Sequence, residues 1–469
     1  LLAGAILLLS ACSSPAIATG GAQTSGGEAA EFAFRNSADQ PPEGWTGRVF
    51  ALSHDYPAEN PGACPKDLCT WLDLDVNLSP NFGAPRPTWD DEVWNEYIQR
   101  IMAYVAEGQD PNLANEVGFQ TEVGGETRWY HVPWMAYDPK VGREFVHGTT
   151  NERTAHLSDL FGETRSIGLH ALQNPPPECE AINQRGFETW AVGMYNPWGG
   201  YALGQAWPQS GAPQVVSYRG SAMPAGLPFS EGTVVAKLLF TSAPVECAPF
   251  LAGAPEWQVN RHKVGEQSNR YLCERAVDTV RLIQMDVAVV DLRSPTRWVY
   301  GTFAYDGAAP GDTAWQRLVP VGLQWGSDPW TFPAVPESES LPAQQSVLNT
   351  SIRQDLYEHE GCRFRLAGPV DNQQSSCISC HAGAYAPPAG VPMTMGSNVP
   401  NIFGFAGLCD VYSQENANYF QNLTPPQAYP GGRYSHALML DTSLQMQVAF
   451  AQYGLYNTNG QPNPCVDPE

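Results

Sequence analysis

The stretch Ser375–Ala384, SSCISCHAGA, sets Cys377, Cys380 and His381 in the order C-x-x-C-H, late in a chain of 469 residues. Two thiols three positions apart, followed at once by an imidazole, suit covalent addition to the two vinyl groups of a haem. The histidine then supplies an axial nitrogen to the iron. A thioredoxin-like redox pair would need a βαβ pattern around the motif, and none is present. A Cys₄ zinc site would need a second C-x-x-C, which the chain lacks. The motif therefore predicts one covalently attached haem c held by Cys377, Cys380 and His381.

The first residues, LLAGAILLLSACSS, run apolar from Leu1 to Leu9 and then meet Leu9-Ser10-Ala11-Cys12, the pattern of a bacterial lipobox. The run is too short to cross a bilayer as a helix. An ordinary cleaved signal peptide is the plainer alternative, but the cysteine directly after Leu-Ser-Ala predicts lipidation at Cys12. The absence of an initiator Met and of a charged leader reads as a sequence that starts inside the signal. Ser13 after the cysteine suits an outer-membrane anchor facing periplasm or cell surface. Apart from Cys12 and the two motif thiols, eight cysteines remain: Cys64, Cys69, Cys179, Cys247, Cys273, Cys362, Cys409 and Cys465. Outside the cytoplasm these allow up to four disulfides. Cys247 and Cys273, which flank one loop region, are the first pair expected. A formal charge of −23 argues against nucleic acid and against adhesion to anionic lipid, so contact with a membrane is expected only through the lipid.

Along the chain the sequence divides into a lipoprotein signal segment (1–12), a small and polar tether (13–43), an aromatic-rich α+β region (44–185), a haem-bearing β domain (186–390) and a C-terminal extension (391–469). With 44 Gly and 41 Pro, loops and short strands are favoured over long helices. Residues 90–107 form one amphipathic helix. Val93, Tyr97, Ile101 and Val105 share a face with Ile98 and Met102 beside them; a Thr88-to-Asp91 cap starts the helix and Gly108 stops it. The alternation in LDLDVNLSP (72–80) reads as a half-exposed strand rather than a calcium loop, which would need a Gly and a Glu that are absent. The segment 128–153 carries His131, Arg143, Glu144, His147 and Arg153. These could line a haem edge or bind a substrate or metal. No defensible metal spacing links them, so they read as hydrogen-bonded anchors of a loop-rich core. Strand-like runs follow at 187–195, 232–240, 279–292 and 297–305, with a short helix after the first, capped by Asn196 and carrying Pro197 in its first turn. Successive strands without interleaved helices predict a mainly β (α+β) fold built on an antiparallel sheet.

Within GTVVAKLLF, Lys237 is the one charge in an apolar strand, on the same face as Thr233, Val235 and Leu239. A buried ammonium is costly unless paired, deprotonated or chemically consumed. An edge strand whose lysine reaches water is the plainer reading. FSEGTVVAK, MDVAVVDLRS, RWVYGTFAYD and CISCHAG, in that order, resemble the strands and attachment site of the cytochrome P-460 and cytochrome c′-beta superfamily, and VGMYNPWGGYALGQAW loosely resembles its earlier strand and helix. That resemblance implies a small antiparallel β domain with a C-terminal haem c, covering roughly residues 186 to 390. It makes His381 the proximal ligand, Lys237 a candidate for the porphyrin-edge cross-link that cytochrome P-460 has and cytochrome c′-beta lacks, and Asp286 a candidate proton acceptor beside the distal face. Ala191 stands where the hydroxylamine-oxidising members carry a distal arginine, and the interval before the haem cysteines is longer than theirs.

Three functions compete at this stage. A haem-dependent oxidoreductase would act on a nitrogen oxide, hydroxylamine or similar small molecule and pass electrons to a partner protein. A mono-haem electron carrier would use a Met as sixth ligand, with Met439 and Met446 the candidates and Met393 and Met395 too close to His381. A lipid-tethered assembly protein would keep haem only as structure.

Overall fold

The computed structural model describes residues 35, 45–79, 87–89, 92–133, 150–155, 177, 179, 187–218, 221–264, 271–326, 345–349, 351–352, 377–381, 384–386 and 438–457. Eight strands make one antiparallel sheet: β1 (Thr150–Ala155), β2 (Phe187–Tyr195), β3 (Val234–Thr241), β4 (Glu256–Val264), β5 (Tyr271–Val290), β6 (Trp298–Tyr305), β7 (Leu318–Gln324) and β8 (Ser346–Leu348). Their order is β8-β7-β6-β5-β3-β2-β1, and β4 pairs with the first half of β5. The fold is therefore mainly β and antiparallel, as the strand runs predict. Every residue of β6 is buried. Its sequence, WVYGTFAY, supplies the aromatic and β-branched side chains that a strand covered on both faces requires.

One face of the sheet is covered by α1 (Glu92–Ala106), close to the expected 90–107. Trp94, Tyr97, Ile98, Ile101, Met102, Tyr104 and Val105 are its buried residues. Gly108 has φ +72, the left-handed backbone that ends a helix without a Cβ clash. The sheet receives the helix at Gly301, where an added Cβ would lie 3.1 Å from Ile98 Cδ1 and from Val287 Cγ2. Trp94 stacks on Trp325 with centroids 4.7 Å apart, and Tyr97 Oη donates to Asp291 Oδ2 at 3.0 Å. Phe50 packs at 4.2 Å from Trp257, so the region before the sheet shares the sheet's core. Arg35, inside the stretch read as a tether, is buried, with its guanidinium 4.5 Å over the Tyr56 ring.

Residues 72–80 differ from expectation. Thr70–Asp73 is a 3-10 helix, and no strand is assigned to the described residues that follow. Burial still alternates there, with Val76 and Leu78 in and Asp75 and Asn77 out, so the apolar period survives without a ladder.

Among the described residues, the disulfides are Cys64–Cys69 and Cys179–Cys247. This corrects the expected Cys247–Cys273 pair. Cys247 lies near the root of the β4–β5 hairpin, where Arg281 donates to Ala243 O, whereas Cys273 lies two residues from the strand end that pairs with Val264. Eight residues of extended strand separate position 273 from 281, about 26 Å. Disulfides of this kind form and persist in oxidising compartments outside the cytoplasm. No helix among the described residues is long and apolar enough to cross a membrane. Cys12 lies outside the described residues.

Candidate functional site

After α2 (Pro197–Ala206), Cys377–His381 forms a single helical turn, α3. Positions 377, 380 and 381 are spaced i, i+3, i+4, which places them on one side of a helix. Cys377 has a buried thiol, and its backbone N–H donates to Gln324 Oε1 at 2.6 Å, tying the turn to β7. Cys380 is within α3, and its side chain is outside the described set. The His381 ring lies 4.9 Å from the Tyr300 ring of β6, and its Nδ1 is 2.8 Å from the Thr442 carbonyl oxygen. A carbonyl can only accept, so Nδ1 carries the proton. In the neutral ring the lone pair then sits on Nε2, the tautomer that a metal ligand needs.

The carbonyl belongs to a turn, Asp441–Ser443, that leads into α4 (Leu444–Asn457). Asp441 and Thr442 both have positive φ, 44° and 65°. Asp441 is buried; its carboxylate accepts from Phe229 N at 2.7 Å and from Trp298 Nε1 at 3.2 Å, and Arg297 lies 3.5 Å away. Burial raises its pKa, against the Arg297 charge and these hydrogen bonds. Tyr300 Oη donates to Thr442 Oγ1 at 2.8 Å, and Tyr195 Oη lies 2.7 Å from Ser443 Oγ. Burial pushes both phenols upward, so both stay protonated near neutrality.

Tyr195 and Tyr300 share a sheet face because β2, β3, β5 and β6 run in register Tyr195–Val235–Ala288–Tyr300. Two residues along, on the same face, the row reads Gly193–Lys237–Asp286–Thr302. The two rows are about 7 Å apart along the strands. Lys237 and Asp286 are thus direct cross-strand neighbours, on the face that carries His381. Asp286 Oδ1 accepts from Thr302 Oγ1 at 2.6 Å, and Gln284 Nε2 lies 3.1 Å from each carboxylate oxygen. Val235, Lys237, Asp286 and Ala288 are half-buried, whereas Ala236, Leu238, Met285 and Val287, facing the other way, are buried. The middle of this face is therefore more open than the α1 side. Beta-strand β3 lies between β5 and β2, so the edge-strand reading of Lys237 is overturned.

Other sequence candidates fall elsewhere. Met446 is fully buried, with its Sδ 3.4 Å from Trp207 Nε1, and Met439 sits in a two-residue strand paired with Tyr385. Met393, Met395, Arg143, Glu144 and His147 lie outside the described residues, and Arg153 is described only as backbone of β1. His131 is buried, and its Nδ1 accepts from Ser53 N at 3.1 Å, the anchoring role its segment suggested. Ala191 is buried on β2 opposite Leu239, two residues from Gly193 on the same face, and supplies no charge. Among the described residues, no group of three or more His, Cys, Asp or Glu could hold a metal ion by itself. A haem brings four nitrogens of its own and needs only an axial ligand from the chain, so this does not conflict with the His381 geometry.

Sequence reasoning missed Gln324, Asp441, Thr442 and Ser443. HALMLDTSLQMQ drew notice through its methionines, while the residue that bonds His381 is Thr442, one of the small polar residues between them. Comparison with known proteins finds no match: no family model, no curated protein and no solved structure matches this chain.

Proposed function

We propose that this chain is an extracytoplasmic c-type haem protein, anchored through Cys12, that carries out redox or small-molecule chemistry of the nitrogen-oxide or hydroxylamine type. Cys377 and Cys380 would hold the haem covalently, and His381 Nε2 would ligate its iron. The observation that carries the reading is the hydrogen bond from His381 Nδ1 to the Thr442 carbonyl. It fixes the ligating tautomer in a ring that follows a C-x-x-C pair on the same turn. When bound, the haem supplies the electron-transfer and ligand-binding chemistry of its iron. The chain supplies position and protons. Tyr300 backs the His381 ring. Asp286, positioned by Thr302 at Oδ1 and by Gln284 at both oxygens, would accept a substrate proton. Lys237 presents an amine beside Asp286 on the half-buried face, the place that the resemblance to the cytochrome P-460 and c′-beta superfamily gives to a porphyrin cross-link. Electrons would pass to a partner protein.

Against a Met-capped carrier, the Met446 sulfur is engaged by Trp207. The test is a visible spectrum of the purified reduced protein, repeated in alkaline pyridine. A c-type haem that remains with the chain on denaturation supports attachment, and its loss in Cys377→Ser with Cys380→Ser completes the case. A red-shifted haem that becomes ordinary in Lys237→Met assigns the cross-link, whereas an ordinary spectrum in the parent protein removes Lys237 from the mechanism. A preparation without covalent haem would overturn the reading.

A further inference from the structure

We propose that Asp441 is the positioning residue of the site: it aims the Thr442 carbonyl at His381 Nδ1 and so sets the basicity of Nε2. The inference rests on the reading of His381 as an iron ligand. Asp441 and Thr442 are consecutive side-chain-bearing residues at φ 44° and 65°, a backbone that such residues adopt only when their surroundings impose it. The Asp441 carboxylate is the group that imposes it. Its Oδ2 accepts from Phe229 N at 2.7 Å and faces Arg297 Nη1 at 3.5 Å, and its Oδ1 accepts from Trp298 Nε1 at 3.2 Å. Arg297 in turn donates to Phe229 O, so the donors around Asp441 are themselves tied together.

A carboxylate is needed here because donors converge on both oxygens. An amide would turn its NH₂ towards the Phe229 N–H and Arg297, or towards the Trp298 N–H. The residue directly after Asp441 carries the carbonyl that meets His381, so a loosened Asp441 reorients that carbonyl. Hydrogen bonding at Nδ1 makes Nε2 a more basic ligand, which favours ferric over ferrous iron. Losing the clamp therefore raises the reduction potential without touching haem or substrate.

The experiment is a spectroscopic redox titration of the full-length haem-loaded protein and three variants. Asp441→Asn should shift the potential upward. Trp298→Phe, which removes one hydrogen bond and keeps a ring, should shift it in the same direction by less. Asp278→Asn, which removes the same charge from the β4–β5 hairpin and contacts no residue of the turn, should leave the potential where it was. A folded Asp441→Asn protein with an unmoved potential would overturn the proposal, as would an Asp278→Asn shift as large as that of Asp441→Asn. If Asp441→Asn does not fold, Trp298→Phe decides by the same criterion. If the protein carries no haem, the haem reading fails by itself. The clamp is then read from ¹⁵N chemical shifts of the His381 ring: an Nδ1–H tautomer that becomes mixed in Trp298→Phe or Asp441→Asn supports it, and an unchanged tautomer overturns it.

Discussion

Asn196 has no solvent exposure, and its amide is bonded on both ends. Oδ1 accepts from Gly199 N at 3.3 Å and Val234 N at 3.0 Å, while Nδ2 donates to Tyr104 Oη at 3.1 Å and Gly232 O at 2.8 Å. It therefore caps the helix Pro197–Ala206, closes the start of β3 and pins α1 to both. Truncation to Ala leaves several buried groups without water or a replacement. At about 1 kcal/mol for each such group, Asn196→Ala should cost about 3 kcal/mol, read as a lower urea midpoint at unchanged slope. A loss under about 1 kcal/mol would show that the neighbours re-pair. The cap was legible, because Asn before Pro marks a helix start. The bonds to Tyr104 and Gly232 were not, since they span 92 and 36 residues. Asp441 and Thr442 left only a weak signal: aspartate tolerates a left-handed backbone better than most residues, but glycine is what announces such a turn, and neither residue is one.

At the scale of strands, the sheet row through Lys237 continues from Gly193 on β2 to Gly322 on β7, and the two glycines are needed for different reasons. A Cβ at Gly322 would meet the Val347 carbonyl oxygen of β8 at 2.5 Å, and backbone in a ladder cannot yield cheaply. A Cβ at Gly193 would meet the Gln445 amide nitrogen at 1.7 Å, the far end of a side chain that can rotate away. Gly322→Ala should therefore cost about 2 kcal/mol, and Gly193→Ala clearly less. Thermal melts of the two variants check the order, and the reverse order would mean that Gln445 has nowhere to go. Alternation told which face Lys237 occupies, because a strand has a period of two. It could not tell that β3 is interior, nor that Asp286 stands opposite. Strand order and register depend on pairings between segments some fifty residues apart. The Cys247–Cys273 expectation failed for the same reason, since nearness in sequence ignored the hairpin that carries Cys273 away.

On the scale of the whole molecule, acid should be the weakness of this fold. The layer before the sheet holds a half-buried His54 and a buried His131 whose ring centroids are 6.4 Å apart. Burial lowers His54 to about 4 and His131 to about 3, with the Arg35 charge adding to the first and His54 to the second. Unfolded, both bind a proton near pH 6.5; folded, neither does until far below. The unfolded chain therefore holds up to two more protons between pH 6.5 and about 4, and stability falls as pH falls through that window. The limiting slope is about 2.7 kcal/mol per pH unit. Asp441 has the opposite sign: its raised pKa gives stability that is full below the unfolded carboxylate value and is lost as pH rises through the folded one. The formal charge of −23 also favours mild acid, because protonating carboxylates below about pH 5 relieves repulsion. Between pH 6.5 and 5 the histidines should dominate. Urea midpoints taken across that range should drop, and His131→Asn, which keeps an acceptor for Ser53 N without a titrating ring, should flatten the drop by about half. Midpoints whose pH dependence is the same in the parent protein and in His131→Asn would show that the imidazoles are already protonated in the folded protein, and that their layer is open to water.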